Sequence, residues 1–69
     1  MTPEEFKEFR INKLGYATRR ELADEMGVTF RAIEHWEYGR RPIPLYAERL
    51  LKCLLLAKMV AKMVREGKT

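Results

Sequence analysis

Arg31 and His35 stand one helical turn apart in the run TFRAIEHWEYGRRPIP, residues 29–44, with Phe30 just before them and Arg40 and Arg41 just after. An arginine fork pairs with the edge of guanine in the major groove, and an apolar ring can meet a thymine methyl. These residue types suit the reading of double-stranded DNA. Other chemistry finds little support. His35 and Cys53 are each the sole residue of their kind, so no metal-ligand cluster is expected. The sequence holds no glycine-rich phosphate loop and no serine-nucleophile motif, and 69 residues leave little room for a substrate pocket. Neither catalysis nor a cofactor is expected.

Side chains are offered to a partner in this way only by a helix anchored on its other side. Ile33 and Trp36, three apart, form the apolar face of a short helix that Thr29 caps and Gly39 closes. Phe30, Arg31, Ala32, Glu34 and His35 are left on its other faces. An exposed Phe30 needs a cover, either a ligand or a fold back onto a core residue such as Tyr16. Upstream, the run TRRE reads as a capping box, with Thr18 at the cap and Glu21 three residues on. Leu22, Ala23 and Met26 give the following helix its inward face, and Gly27 stops it. Only Gly27, Val28 and Thr29 separate the two short helices, with glycine at the bend and Val28 placed to plug the angle. That is the sequence form of a helix-turn-helix.

A first helix is predicted after Thr2, with Pro3 at its first position, Glu4 and Glu5 at the positive end of its dipole, Phe6, Phe9 and Leu14 turned inward, and Gly15 at its end. Pro42 and Pro44 stop the third helix and hold an extended connection. A last helix runs from near Pro44 to Glu66, with Gly67 as its stop; about 22 residues at 1.5 Å each make it roughly 33 Å long. No stretch alternates apolar and polar residues long enough to make a strand, so the chain reads as all-α. Residues 1–47 form the core, and residues 48–69 a C-terminal helix for packing and dimerisation.

At 8.2 kDa the chain is one small domain, near the size at which a single core is marginal and a second subunit often supplies the missing burial. Its 46% hydrophobic and 35% charged content is that of a folded domain, not of a disordered tail. A single cysteine makes no internal disulfide, and residues 1–10 are too acidic and polar for a signal peptide, so a cytoplasmic protein is expected. The longest apolar run, residues 54–57, is far short of the roughly 20 residues of a membrane span. The net charge of +4 hides an uneven distribution: residues 1–47 carry eight basic and eight acidic residues, residues 48–69 six and two. Placement of the arginines therefore says more than the total.

The run RRELADEMGVTFRAIEHWEYGRRPIP resembles the helix-turn-helix of the Cro/CI-like (XRE) repressors. Their usual form has Glu-Leu-Ala in helix 2, Gly-Val-Thr/Ser at the turn, and Ile-x-x-Trp-Glu-x-Gly at the close of helix 3. Here these are Glu21, Leu22 and Ala23, then Gly27, Val28 and Thr29, then Ile33, Trp36, Glu37 and Gly39. The resemblance covers about residues 5–47. It implies a lambda-repressor-like bundle of four to five helices that binds a palindromic operator as a homodimer, similar in build to autorepressors of phages and mobile elements. On the matching positions it implies base reading by Phe30, Arg31 and His35, with Ala32 and Glu34 beside them. Phosphate contacts would come from Thr18 and Arg19, with Arg20 next to them, and from Tyr38, Arg40 and Arg41. Glu37, paired with Arg10, would be a fold residue like Ile33 and Trp36. The chain departs from the pattern twice: it is one residue longer between Arg10 and Thr18, and Phe30 and Arg31 stand where many relatives carry polar amides. The second departure puts the operator sequence out of reach.

Along the last helix, Tyr46, Leu50, Cys53, Leu54, Ala57, Val60, Ala61 and Val64 gather on one side, expected to pack on the domain and bury Cys53. Leu51, Leu55, Leu56, Met59 and Met63 lie elsewhere, among Lys52, Lys58 and Lys62. A protomer this small cannot cover both sets, so the second set is expected to form the homodimer interface. A helix lying on a membrane surface competes with that reading but is disfavoured. The alternative function is an antitoxin-type regulator whose last helix also grips a small protein toxin.

Overall fold

The computed structural model describes residues 1–66, all helix, turn and connection, with no strand among them. Four helices follow in order: α1, Pro3–Glu8; α2, Arg19–Met26; α3, Phe30–Glu37; and α4, Leu45–Glu66. Between α1 and α2 the chain continues through a π-helical turn, Phe9–Lys13. Gly67, expected to stop the last helix, lies outside the described residues. Among the described residues no helix is long and apolar enough to cross a membrane.

The helix starts follow from local chemistry. Thr2 and Glu5 form a capping box at α1, Thr18 and Glu21 another at α2, and the Thr29 hydroxyl accepts from the Ala32 amide at α3. Such caps satisfy amide donors that the helix itself leaves unpaired, each contributing about 0.5–2 kcal/mol. Two helix ends need glycine. Gly27 at φ +71° and Gly39 at φ +72° occupy left-handed backbone that disfavours a Cβ. At Gly39 the closure is a Schellman motif: the Arg40 amide donates to the His35 carbonyl at 2.9 Å and the Gly39 amide to that of Trp36 at 3.4 Å.

The π-helical turn shapes the end of the first helical segment. Within it the Leu14 amide donates to the Phe9 carbonyl at 2.9 Å, five residues back. In a regular helix Leu14, eight residues after Phe6, would sit about 80° round the axis from it. The wider turn brings Phe6, Arg10 and Leu14 onto one inward side, and all three are buried.

Phe6, Leu22, Ile33 and Leu51 are the largest fully buried side chains, one from each helix. Each contributes about 1.5–3 kcal/mol by burial. Trp36 stands edge-on to Phe6, with centroids 5.8 Å apart, and to Tyr46 at 6.2 Å. Val28 packs half-buried against this core, plugging the bend between α2 and α3.

The last helix corrects the expected packing. Ala47 and Leu51 are its fully buried residues, with Leu50, Leu54 and Leu55 packed beside them. Leu51 therefore belongs to the core of one protomer and is not a dimer contact, and Leu55 is half committed to the same core. Cys53, expected to be buried, is exposed, as are Tyr46, Ala57, Val60, Ala61 and Val64. The reason is reach. The buried and half-buried residues of α4 all lie in its first three turns, where 47, 50, 51, 54 and 55 form an apolar stripe at helical spacing. The rest of α4 projects, giving the molecule extents of 47 × 19 × 18 Å.

Candidate nucleic-acid interface

The surface around α3 is organised by one buried ionic cluster. The Arg10 side chain is 4% exposed and that of Glu37 1%. Arg10 Nε donates to Glu37 Oε2 at 2.7 Å and Nη2 to Oε1 at 3.3 Å, while Nη1 donates to the carbonyls of Tyr16 and Ala17 at 2.9 and 3.0 Å. One guanidinium thus ties the first helical segment to the end of α3 and to the corner that leads into α2. The expected pairing of Arg10 with Glu37 is present: Arg10, four residues after Phe6, keeps to the same inward side.

Glu37 also holds a second arginine that the sequence did not reveal. Arg19 Nε donates to Glu37 Oε1 at 2.9 Å, and this hydrogen bond raises the Arg19 pKa above its ordinary value. The Arg19 guanidinium also lies over the Tyr38 ring, 4.9 Å from its centroid, and that of Arg40 lies 5.4 Å from the same centroid. Two cations from the start of α2 and the exit of α3 thereby gather on one exposed aromatic ring.

Phe30, the first residue of α3, is exposed, and the Arg20 guanidinium lies 5.2 Å from its ring centroid. The cover seen on Phe30 is the Arg20 guanidinium, and the Tyr16 ring carries the Lys58 ammonium, 4.6 Å away. Arg31, four residues before His35, is exposed. Ala32, Glu34 and His35 are half-buried. His35 is presented less fully than expected: its Nδ1 is buried without a hydrogen-bond partner, beside an open cleft lined by Ala32, Trp36, Arg41, Pro42, Pro44 and Tyr46. Arg41 thus joins His35 at this cleft and stands apart from the cluster on Tyr38. Thr18 is exposed, but its hydroxyl donates to Glu21 Oε1 at 3.0 Å and accepts from the Glu21 amide at 3.2 Å.

The arrangement is a helix with an apolar side locked into the core by Ile33 and Trp36 and an outer side offering Phe30 and Arg31. Arginines carried on aromatic rings flank it on both sides. Chemically it presents fixed cations suited to phosphate oxygens and a guanidinium fork free to meet a base edge. Among the described residues no group of three or more His, Cys, Asp or Glu side chains gathers as metal ligands would.

Farther along α4, Leu56, Met59, Val60, Met63 and Val64 are all exposed, by 52 to 69%. Leu56, Val60 and Met63, with Cys53, follow one another at helical spacing on the side of α4 opposite Ala47 and Leu51. Compared with known proteins, the chain matches no protein-family model, no curated protein and no solved structure.

Proposed function

We propose that this chain is a sequence-specific DNA-binding regulator of transcription, a lambda-repressor-like helix-turn-helix protein of the Cro/CI-like type that acts as a homodimeric repressor. The observation that carries the reading is the two-sidedness of α3. Ile33 and Trp36 are buried on one side, Phe30 and Arg31 face outward on the other, and Arg19, Arg20 and Arg40 flank them. In this reading α3 enters the major groove, Arg31 and Phe30 read base edges, and His35, Ala32 and Glu34 line the margin of the contact. Arg19, Arg20, Tyr38 and Arg40 face the phosphates, which position the protein without selecting a sequence. A second copy joins through the outer side of α4, placing two α3 helices in successive major grooves about 34 Å apart.

The test is binding to the DNA upstream of its own gene, against random DNA, over a salt series and beside Arg31→Ala. The expected result is a preference that Arg31→Ala reduces by roughly 1–3 kcal/mol with little change in salt dependence. Wild-type protein that does not discriminate between the two DNAs rules the reading out.

A further inference from the structure

The core-facing side of α4 changes character where the helix leaves the domain. Ala47 and Leu51 are buried and Leu55 half-buried, and continuing at the same helical spacing come Lys58, Lys62 and Arg65. These three are exposed, and the row spans about 10 Å of helix axis at 1.5 Å per residue. Residues 52–66 hold four basic residues and a single acid, Glu66. The cations lie opposite the apolar residues Leu56, Val60 and Met63, so a second copy docked on the outer side of α4 leaves the row uncovered.

The row also begins at a defined place. The Lys58 ammonium lies 4.6 Å from the centroid of the Tyr16 ring. Tyr16 stands two residues before Thr18, the cap of α2, and the Tyr16 carbonyl is held by Arg10. Lys58 therefore lies against the corner that leads into α2, the helix whose first residues are Arg19 and Arg20.

We propose that Lys58, Lys62 and Arg65 form a second DNA-backbone site, which lies along the phosphates flanking the sequence read by α3. The proposal rests on the DNA-binding reading above and extends its footprint. The place of Lys58 on Tyr16, at the corner that leads into α2, favours duplex phosphate over an anionic membrane. A helix lying on lipid would have to bury the outer face that pairs the two copies.

The experiment compares wild type with Lys58→Gln/Lys62→Gln/Arg65→Gln on a duplex limited to the recognised sequence and on one extended by about ten base pairs at each end, a helical turn. Circular dichroism checks that the helix content is kept. A second variant, Lys62→Gln/Arg65→Gln, leaves Lys58 on Tyr16. On the extended duplex the triple variant is expected to flatten the slope of log affinity against log salt by about 3 for each protomer that docks its row, and the double variant by about 2. Discrimination between specific and random DNA should stay as in wild type, and on the short duplex the slopes should converge. Equal slopes for wild type and variants on the extended duplex overturn the proposal while leaving the α3 reading intact. Wild type that binds neither duplex overturns both. A loss of binding to phosphatidylserine-containing vesicles by the triple variant, with its DNA slope unchanged, overturns the proposal and assigns the row to lipid.

Discussion

Truncating Glu37 to alanine would leave the Arg10 guanidinium buried with only two backbone carbonyls for partners. Removing one member of a buried ion pair costs about 3–5 kcal/mol, because the remaining charge stays desolvated and uncompensated. For 69 residues at 0.05–0.15 kcal/mol each, total stability is about 3–10 kcal/mol, so this one side chain decides whether the domain folds. Arg19→Ala removes the other cation from the same carboxylate, yet Arg19 is partly exposed and its loss should cost about 1 kcal/mol or less. The assay is urea unfolding followed by Trp36 emission, since the chain's sole tryptophan is buried against Phe6. With a slope of about 1 kcal/mol per molar urea, a 3 kcal/mol loss moves the midpoint by about 3 M. Arg10→Met/Glu37→Leu, which removes both charges, should lie closer to the parent than Glu37→Ala does. If Glu37→Ala shifts the midpoint no more than Arg19→Ala, the cluster is not what holds the first segment, the α2 corner and α3 together.

If the outer side of α4 pairs two copies as proposed, its two sides separate core from association. Leu51→Ala should cost about 2–5 kcal/mol in unfolding, whereas Val60→Glu should leave the fold of the protomer intact and abolish dimers in sedimentation velocity; dimers that persist in Val60→Glu would place the interface elsewhere. In the associated state Cys53 should alkylate more slowly as protein concentration rises, and a rate independent of concentration would count against the outer side of α4. At α1, the hydrogen bond from the Thr2 amide lowers the Glu5 pKa below its ordinary 4.5. A folded pKa below the unfolded one means that the stabilisation is complete above pH 4.5 and is lost as pH falls through the lower folded value. A carboxyl NMR titration of Glu5 in the folded protein should find its midpoint below 4.5, and one at or above 4.5 would exclude the capping contribution.

What was legible in the sequence is what local chemistry decides. Thr2 with Glu5 and Thr18 with Glu21 act over three residues, and Gly27 and Gly39 meet a backbone requirement that few other residues satisfy. Ile33 and Trp36 were legible as the buried side of α3, because they continue at helical spacing toward its end, whereas Phe30 stands at its first turn. The last helix was misread because it is apolar on more than one side, and hydrophobicity alone does not say which stripe meets a domain only three turns deep. The π-helical turn left no local mark in the sequence, because it goes with burying Phe6, Arg10 and Leu14 together. Arg19 and Glu37, 18 residues apart, meet only because α2 and α3 fold against each other, and nothing in their spacing signals it.

The guanidinium groups of Arg19, Arg20 and Arg40 are laid over Tyr38 and Phe30 within a single chain. A free arginine loses about 0.5–1.5 kcal/mol of rotamer freedom when a ligand immobilises it. Arg19, which Glu37 also holds, gives up part of that freedom on folding. An anion arriving at Arg19 therefore meets a donor already narrowed in position, and less of its interaction energy goes into ordering the side chain that receives it.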